Sequence, residues 1–190
     1  MKKRIAIFAS GSGTNAQRII EHFMRNKEIE ISIVMTNNAD AYVLVRADSF
    51  EIPTHVFTRS EMGNPLKVLK LLQNLKIDFI VLAGFLWLLP LAVLKEFNKR
   101  IINVHPALLP KFGGAGMYGS KVHQAVLDSK EKESGITIHH VNENYDEGEI
   151  IFQASCPVSS NDTLENLMYK IQQLEYQHYP RIIESLIKKM

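Results

Sequence analysis

The stretch Arg4–Lys27, RIAIFASGSGTNAQRIIEHFMRNK, decides the fold. Its first six residues, Arg4 to Ala9, are rich in β-branched, aromatic and small apolar side chains, as in a short buried strand. The run stops at Ser10-Gly11-Ser12-Gly13. From Asn15 to Lys27, Ala16, Ile19, Ile20 and Phe23 recur at the i, i+3, i+4, i+7 spacing of one helix face. Strand, glycine turn and helix in that order open an α/β unit.

The alternation continues outward. Glu30–Met35 reads as a second strand closed by Thr36-Asn37-Asn38, a helix covers about Ala41–Phe50, and Thr54–Phe57 is a third strand. Pro65 suits a helix N1 position, and Leu66, Leu69, Leu71, Leu72 and Leu75 continue that helix. Asp78–Ala83 (DFIVLA) has the unbroken apolar character of a strand covered on both faces. Pro90 starts another helix, and Arg100–Val104 is the next strand. His105–Gly119 is a long loop with Pro106, Pro110 and four glycines, and a helix follows from about Ser120 to Asp128. Gly135–Val141 and Glu149–Val158 are strands joined by a polar loop without a helix, which implies a mixed region late in the sheet. Asp162-Thr163-Leu164-Glu165 resembles a capping box opening a helix to about Tyr179, with Pro180 restarting or kinking it. The expected fold is α/β, one doubly wound domain over residues 1–190 on a mainly parallel sheet.

Composition narrows the function. Among 190 residues, 22 Lys+Arg face 20 Asp+Glu, and a net charge of +2 argues against a nucleic-acid partner. The apolar run Ile5–Ala9 is too short for a signal h-region. Phe79–Leu94 carries no charge, but a spanning helix needs about 20 apolar residues, and Gly84 and Pro90 interrupt this one. No membrane association is expected. The single cysteine, Cys156, excludes an intrachain disulfide and fits a reducing, cytoplasmic location.

In open α/β sheets, ligands bind at the carboxyl ends of the strands. That rule selects the loops Ser10–Asn15, Gly84–Leu89, Asn103–Gly119 and Asn142–Gly148. Gly11-Ser12-Gly13-Thr14-Asn15-Ala16 satisfies G-x-G-x-x-G/A, but Asn37 replaces the acidic residue that a dinucleotide ribose requires. A phosphomonoester on Gly13, Thr14 and Asn15 fits better. Asn103 and His105 alternate to the same side of a strand end, an amide donor beside a titratable ring, which suits oxyanion stabilisation in acyl-type transfer. Asp146, in the turn Tyr145-Asp146-Glu147-Gly148, can support the charge of His105 if that turn lies beside it. His139 and His140 point to opposite faces, one toward the site. No His pair has zinc-site spacing with a third ligand nearby, so no metal is expected. Cys156 reads as a small core residue, and direct transfer is favoured over a covalent intermediate.

These motifs resemble the phosphoribosylglycinamide formyltransferases. The matching pieces are Ser10-Gly11-Ser12-Gly13-Thr14-Asn15, Leu82-Ala83-Gly84-Phe85, Asn103-Val104-His105-Pro106-Ala107-Leu108-Leu109-Pro110 and Asp146-Glu147-Gly148. The Asn-x-His-Pro-x-Leu-Leu-Pro segment is the specific one, shared among formyltetrahydrofolate-using transferases. The resemblance implies a Rossmann-like formyltransferase fold. It also implies formyl transfer from 10-formyltetrahydrofolate to the amino group of N1-(5-phosphoribosyl)glycinamide in purine biosynthesis. It makes Asn103, His105 and Asp146 the catalytic trio. Gly13, Thr14, Asn15, Gln172 and Glu175 would contact the ribonucleotide, Glu175 at its amino end. Leu86, Trp87, Leu88, Leu89, Asn103, Val141 and Asn142 would form the folate cleft. The family often has Arg where this chain has Trp87, and Arg59 is not assigned to the folate. Small molecules are the expected partners of a monomer or homodimer. The alternatives are another formyltetrahydrofolate-dependent transferase or hydrolase, or a nucleotide-binding oxidoreductase.

Overall fold

A computed structural model describes residues 2–190. Seven strands form one sheet: β1 (Lys3–Phe8), β2 (Ile29–Thr36), β3 (Thr54–Val56), β4 (Phe79–Leu82), β5 (Ile101–His105), β6 (Glu133–His140) and β7 (Ile150–Pro157), in the order β3-β2-β1-β4-β5-β6-β7. The first five run parallel, while β6 pairs antiparallel with both β5 and β7. The β6–β7 pairing is a hairpin-like return where the sequence offers no crossover helix, whereas β6 turns back on β5 after a helix at 120–128.

Alternation along the central strands divides the core in two. Ile5, Ile7, Phe79 and Val81 enter one layer, and Ala6, Phe8, Ile80 and Leu82 enter the other. The first layer also takes apolar side chains from α1 (Thr14–Phe23), α2 (Val43–Ser49), α6 (Ser120–Asp128) and α7 (Leu164–Ile187). The second takes them from α4 (Pro65–Asn74) and α5 (Leu91–Glu96). The short helix α3 (Arg59–Met62), absent from the sequence expectation, opens on a Thr58/Glu61 capping box.

At α7 the expectation needs correcting. Thr163 is the N-cap, but its side chain accepts from the N–H of Asn166, the true N3 residue, so Glu165 does not close a capping box. Asp162 instead accepts from the N–H of Ser159 and from Lys170. The helix runs unbroken through Pro180, which has no N–H to return to the preceding turn. Tertiary anchoring offsets that loss. Tyr179 is fully buried, its hydroxyl donating to the Leu82 carbonyl at 2.8 Å and lying 3.2 Å from that of Ile102. This contact docks α7 over the end of β4 and the adjoining part of β5.

Candidate active site

The switch point of the strand order lies between β1 and β4, each pairing outward in opposite directions from their shared edge. The loops after both strands are tied there by Ser10. Its hydroxyl donates to Asn37 Oδ1 at 2.5 Å and accepts from the Leu86 N–H at 2.9 Å, and its own N–H reaches the Gly84 carbonyl. Asn37, where a dinucleotide fold would place a carboxylate, is spent on this link. The four loops at the strand ends surround one cleft of about 800 Å³.

One end of the cleft is the start of α1. Gly13 is the N-cap in a left-handed conformation (φ 72°), with no side chain capping the helix, so the first N–H groups remain free for an anion. A Cβ at Gly13 would overlap Val43 Cγ2, so glycine is required by space as well as by angle. The Arg46 Nε donates to the Ser12 carbonyl at 2.8 Å. From α7, Glu175 accepts from the Asn15 side-chain amide at 2.8 Å, joining turn and helix across 160 residues of sequence. Burial pushes the Glu175 carboxyl up to about 7, against the pull of the Asn15 hydrogen bond. Gln172 lies one helical turn before it and also lines the cleft.

The floor is built from β5 and β6. Antiparallel register sets Asn103 opposite His139 and His105 opposite Thr137, so all four share the side of the sheet opposite Ile102 and Val104. The His139 Nδ1 donates to the His140 carbonyl at 2.8 Å, which leaves Nε2 to accept from the Asn103 amide at 3.2 Å. One amide hydrogen of Asn103 is thereby used, and the other is free for a ligand. Thr137 secures the loop that follows His105: its hydroxyl donates to the Ala107 carbonyl at 2.7 Å and accepts from the Leu109 N–H at 2.9 Å. Gln153, on β7, bonds both Thr137 and the Leu109 carbonyl.

The turn after β6 brings Asp146 between two rings. Its Oδ2 is 3.4 Å from His105 Nδ1, and its Oδ1 is 3.6 Å from His139 Nε2. Burial would raise the Asp146 pKa, but the His105 imidazole and the Gly114 N–H, 3.0 Å from Oδ2, hold it well below the usual carboxylate range. The other nitrogen of His105, Nε2, donates to the Phe112 carbonyl at 2.7 Å. Buried His123 on α6 also lines the cleft, its pKa lowered to about 4 by desolvation and by the neighbouring His105 charge.

The far wall is apolar: Phe85, Leu86, Trp87, Leu88, Leu89 and Val141. Arg59 lies 5.2 Å over the Trp87 ring. Every site residue expected from sequence lines this cleft except Asn142, whose side chain turns back to accept from the Asn144 N–H at 3.0 Å. His139 received no role from sequence, although strand alternation pointed one of the two histidines toward the site. The Phe112 carbonyl and the Gly114 N–H carried no sequence signal, because any residue offers these groups. Cys156 lies away from the cleft on β7, with burial raising its thiol pKa. Among the described residues, no helix is long and apolar enough to cross a membrane.

The chain is similar to known proteins in sequence and fold. The formyl transferase family pattern covers residues 3–183. The chain is 38% identical to the phosphoribosylglycinamide formyltransferase of Haemophilus influenzae, over 96% of this chain and 86% of that one. It is also 38% identical to the chloroplastic phosphoribosylglycinamide formyltransferase of Arabidopsis thaliana, over 99% of this chain, and spans 66% of that protein's length. The crystal structure of phosphoribosylglycinamide formyltransferase from Bacillus halodurans superposes with a TM-score of 0.89 at 36% identity, covering 98% and 96% of the two chains. With a pattern match over nearly its whole length and that similarity in sequence and fold, the chain belongs to the formyl transferase family.

Proposed function

We propose that the protein transfers a formyl group from 10-formyltetrahydrofolate to the amino group of N1-(5-phosphoribosyl)glycinamide, a step of purine biosynthesis. The observation that carries this reading is the grouping of Asn103, His105 and Asp146 on the cleft floor, between a helix start open to a phosphate and an apolar wall. That wall, with polar groups only at its edges, fits a flat ring system. The bound folate supplies an electrophilic formyl carbon whose bond to the folate nitrogen is exchanged for one to the acceptor amine, and the proton that the amine loses goes to the departing folate nitrogen.

The chain's own groups do the rest. Free N–H groups at Thr14 and Asn15 hold the phosphate, and Gln172 and Glu175 fix the ribonucleotide so that its amine faces the floor. The free amide hydrogen of Asn103 and the positive charge of the His105 imidazolium stabilise the negative charge that develops on the formyl oxygen. Asp146 stays ionised and balances the imidazolium. Holding two substrates in line supplies most of the acceleration. Cys156, half-buried and remote, fits a reducing compartment such as the cytoplasm.

Absorbance of a 10-formyl-5,8-dideazafolate tests the reading. Deformylation that requires the ribonucleotide is the expected result. Deformylation without any acceptor would show a hydrolase instead, and the absence of turnover in a folded sample would overturn formyl transfer.

A further inference from the structure

Resting on the assignment of His105 and Asp146 to the reaction, we infer that the turn Phe112-Gly113-Gly114 is a positioning element. It holds both members of that pair through its backbone, and residue 113, which has no side chain, passes close to the base of Asp146. The Phe112 carbonyl takes the hydrogen of His105 Nε2 at 2.7 Å, and the Gly114 N–H, two residues on, donates to Asp146 Oδ2 at 3.0 Å. The same carboxylate oxygen lies 3.4 Å from His105 Nδ1. A carbonyl only accepts, so the hydrogen on Nε2 is fixed in place. Nδ1 is then the nitrogen that gains and loses a proton beside Asp146.

Aiming a carbonyl at one group and an amide at the next requires the chain to reverse within the turn. Phe112 (φ 57°) and Gly114 (φ 95°) are both left-handed. The Phe112 side chain packs on the core, anchoring the turn. Gly113 has a different requirement. Its φ is not in the left-handed region, but a Cβ there would lie 2.5 Å from Leu109 Cδ2 and 3.3 Å from Asp146 Cβ. Alanine at 113 therefore adds a methyl against the Cβ of Asp146, at the base of that side chain, without straining the backbone, which makes it a probe of the carboxylate's placement.

Nitrogen-15 resonances of the His105 ring in the labelled parent protein, assigned by their loss in His105→Gln, read the proton's location. The expected neutral form is the Nε2–H tautomer, and a predominant Nδ1–H tautomer overturns the inference even if no turn variant folds. Gly113→Ala is expected to lower kcat by about 10- to 10²-fold, with a shifted Nδ1 resonance. KM for both substrates should stay within about twofold. Parental kcat in that variant overturns the inference while leaving His105, judged by His105→Ala, in its role. Adding Leu109→Ala relieves only the leucine clash, so recovery of kcat in the double variant also overturns it, and a persistent loss supports it. If the parent shows no formyl transfer, the proposed activity falls and the resonances still decide the turn.

Discussion

Asp146 faces His105 across 3.4 Å with both side chains almost withdrawn from solvent. A carboxylate in that position would normally be neutralised by desolvation, yet the His105 ring and the Gly114 N–H keep it charged. Asp146→Asn preserves shape and removes the charge that balances the imidazolium. Its kcat should fall by about 10²-fold or more. Turnover within roughly threefold of the parent would contradict the role.

The same substitution has a signature in stability. A carboxyl whose folded-state pKa is depressed stabilises the native chain above its ordinary range, near pH 4, and that contribution is lost as pH falls through the depressed value. Denaturation midpoints of the parent should therefore decline more steeply on acidification than those of Asp146→Asn. Parallel acid limbs would refute this.

Asn103→Ala should cost about 10²–10³ in kcat, the range typical of one oxyanion donor. His139 acts through Asn103 by accepting one of its amide hydrogens. His139→Ala frees the amide to rotate and should cost about tenfold, by misplacement alone. In the double variant the two losses should not multiply, because His139 has nothing left to orient. Full multiplicativity measured in a double-mutant cycle would separate the two residues.

Glu175 titrates in the opposite sense to Asp146. Its folded-state value near 7 lies above the ordinary carboxylate value, so between the two the unfolded chain releases a proton that the native chain retains. Stability falls with rising pH across that window, and the full penalty is present above about pH 7. Glu175→Gln should stabilise by roughly 1–3 kcal/mol at mildly alkaline pH and by nothing near pH 4. Urea denaturation at both pH values checks it, and an equal gain at each would exclude the titration as cause.

Gly13→Ala clashes with Val43 and adopts an angle unfavourable to alanine. The angle alone costs about 1–2 kcal/mol, and relief of the clash must move the start of α1. Thermal denaturation should show the loss, and the ribonucleotide should no longer raise the melting temperature. Undiminished protection by the ribonucleotide would remove the phosphate from this turn.

Much of this architecture is written in local pattern. Arg4–Lys27 specifies strand, turn and helix because alternating and 3.6-residue periods have only one consistent placement each, and Gly13 marks a backbone angle that other residues resist. Asn103 and His105 share a face because a strand repeats every two residues. The missing crossover helix between β6 and β7 correctly announced the antiparallel region. Pro180 misled, since a helix interior tolerates proline when a buried neighbour such as Tyr179 anchors it.

What no local pattern holds is proximity across the chain. Asp146 becomes a partner of His105 only when β6 returns antiparallel beside β5, and Asn15 meets Glu175 only when α7 crosses the strand ends. The orientation of His105 depends on the carbonyl of Phe112, and that of Asp146 on the N–H of Gly114, groups common to nearly every residue and therefore invisible in side-chain identity. Periodicity and turn chemistry act over a few residues and are legible in sequence. Ionisation and hydrogen-bond geometry depend on distances of about 3 Å between segments far apart in the chain, and those exist only after the sheet has closed its register.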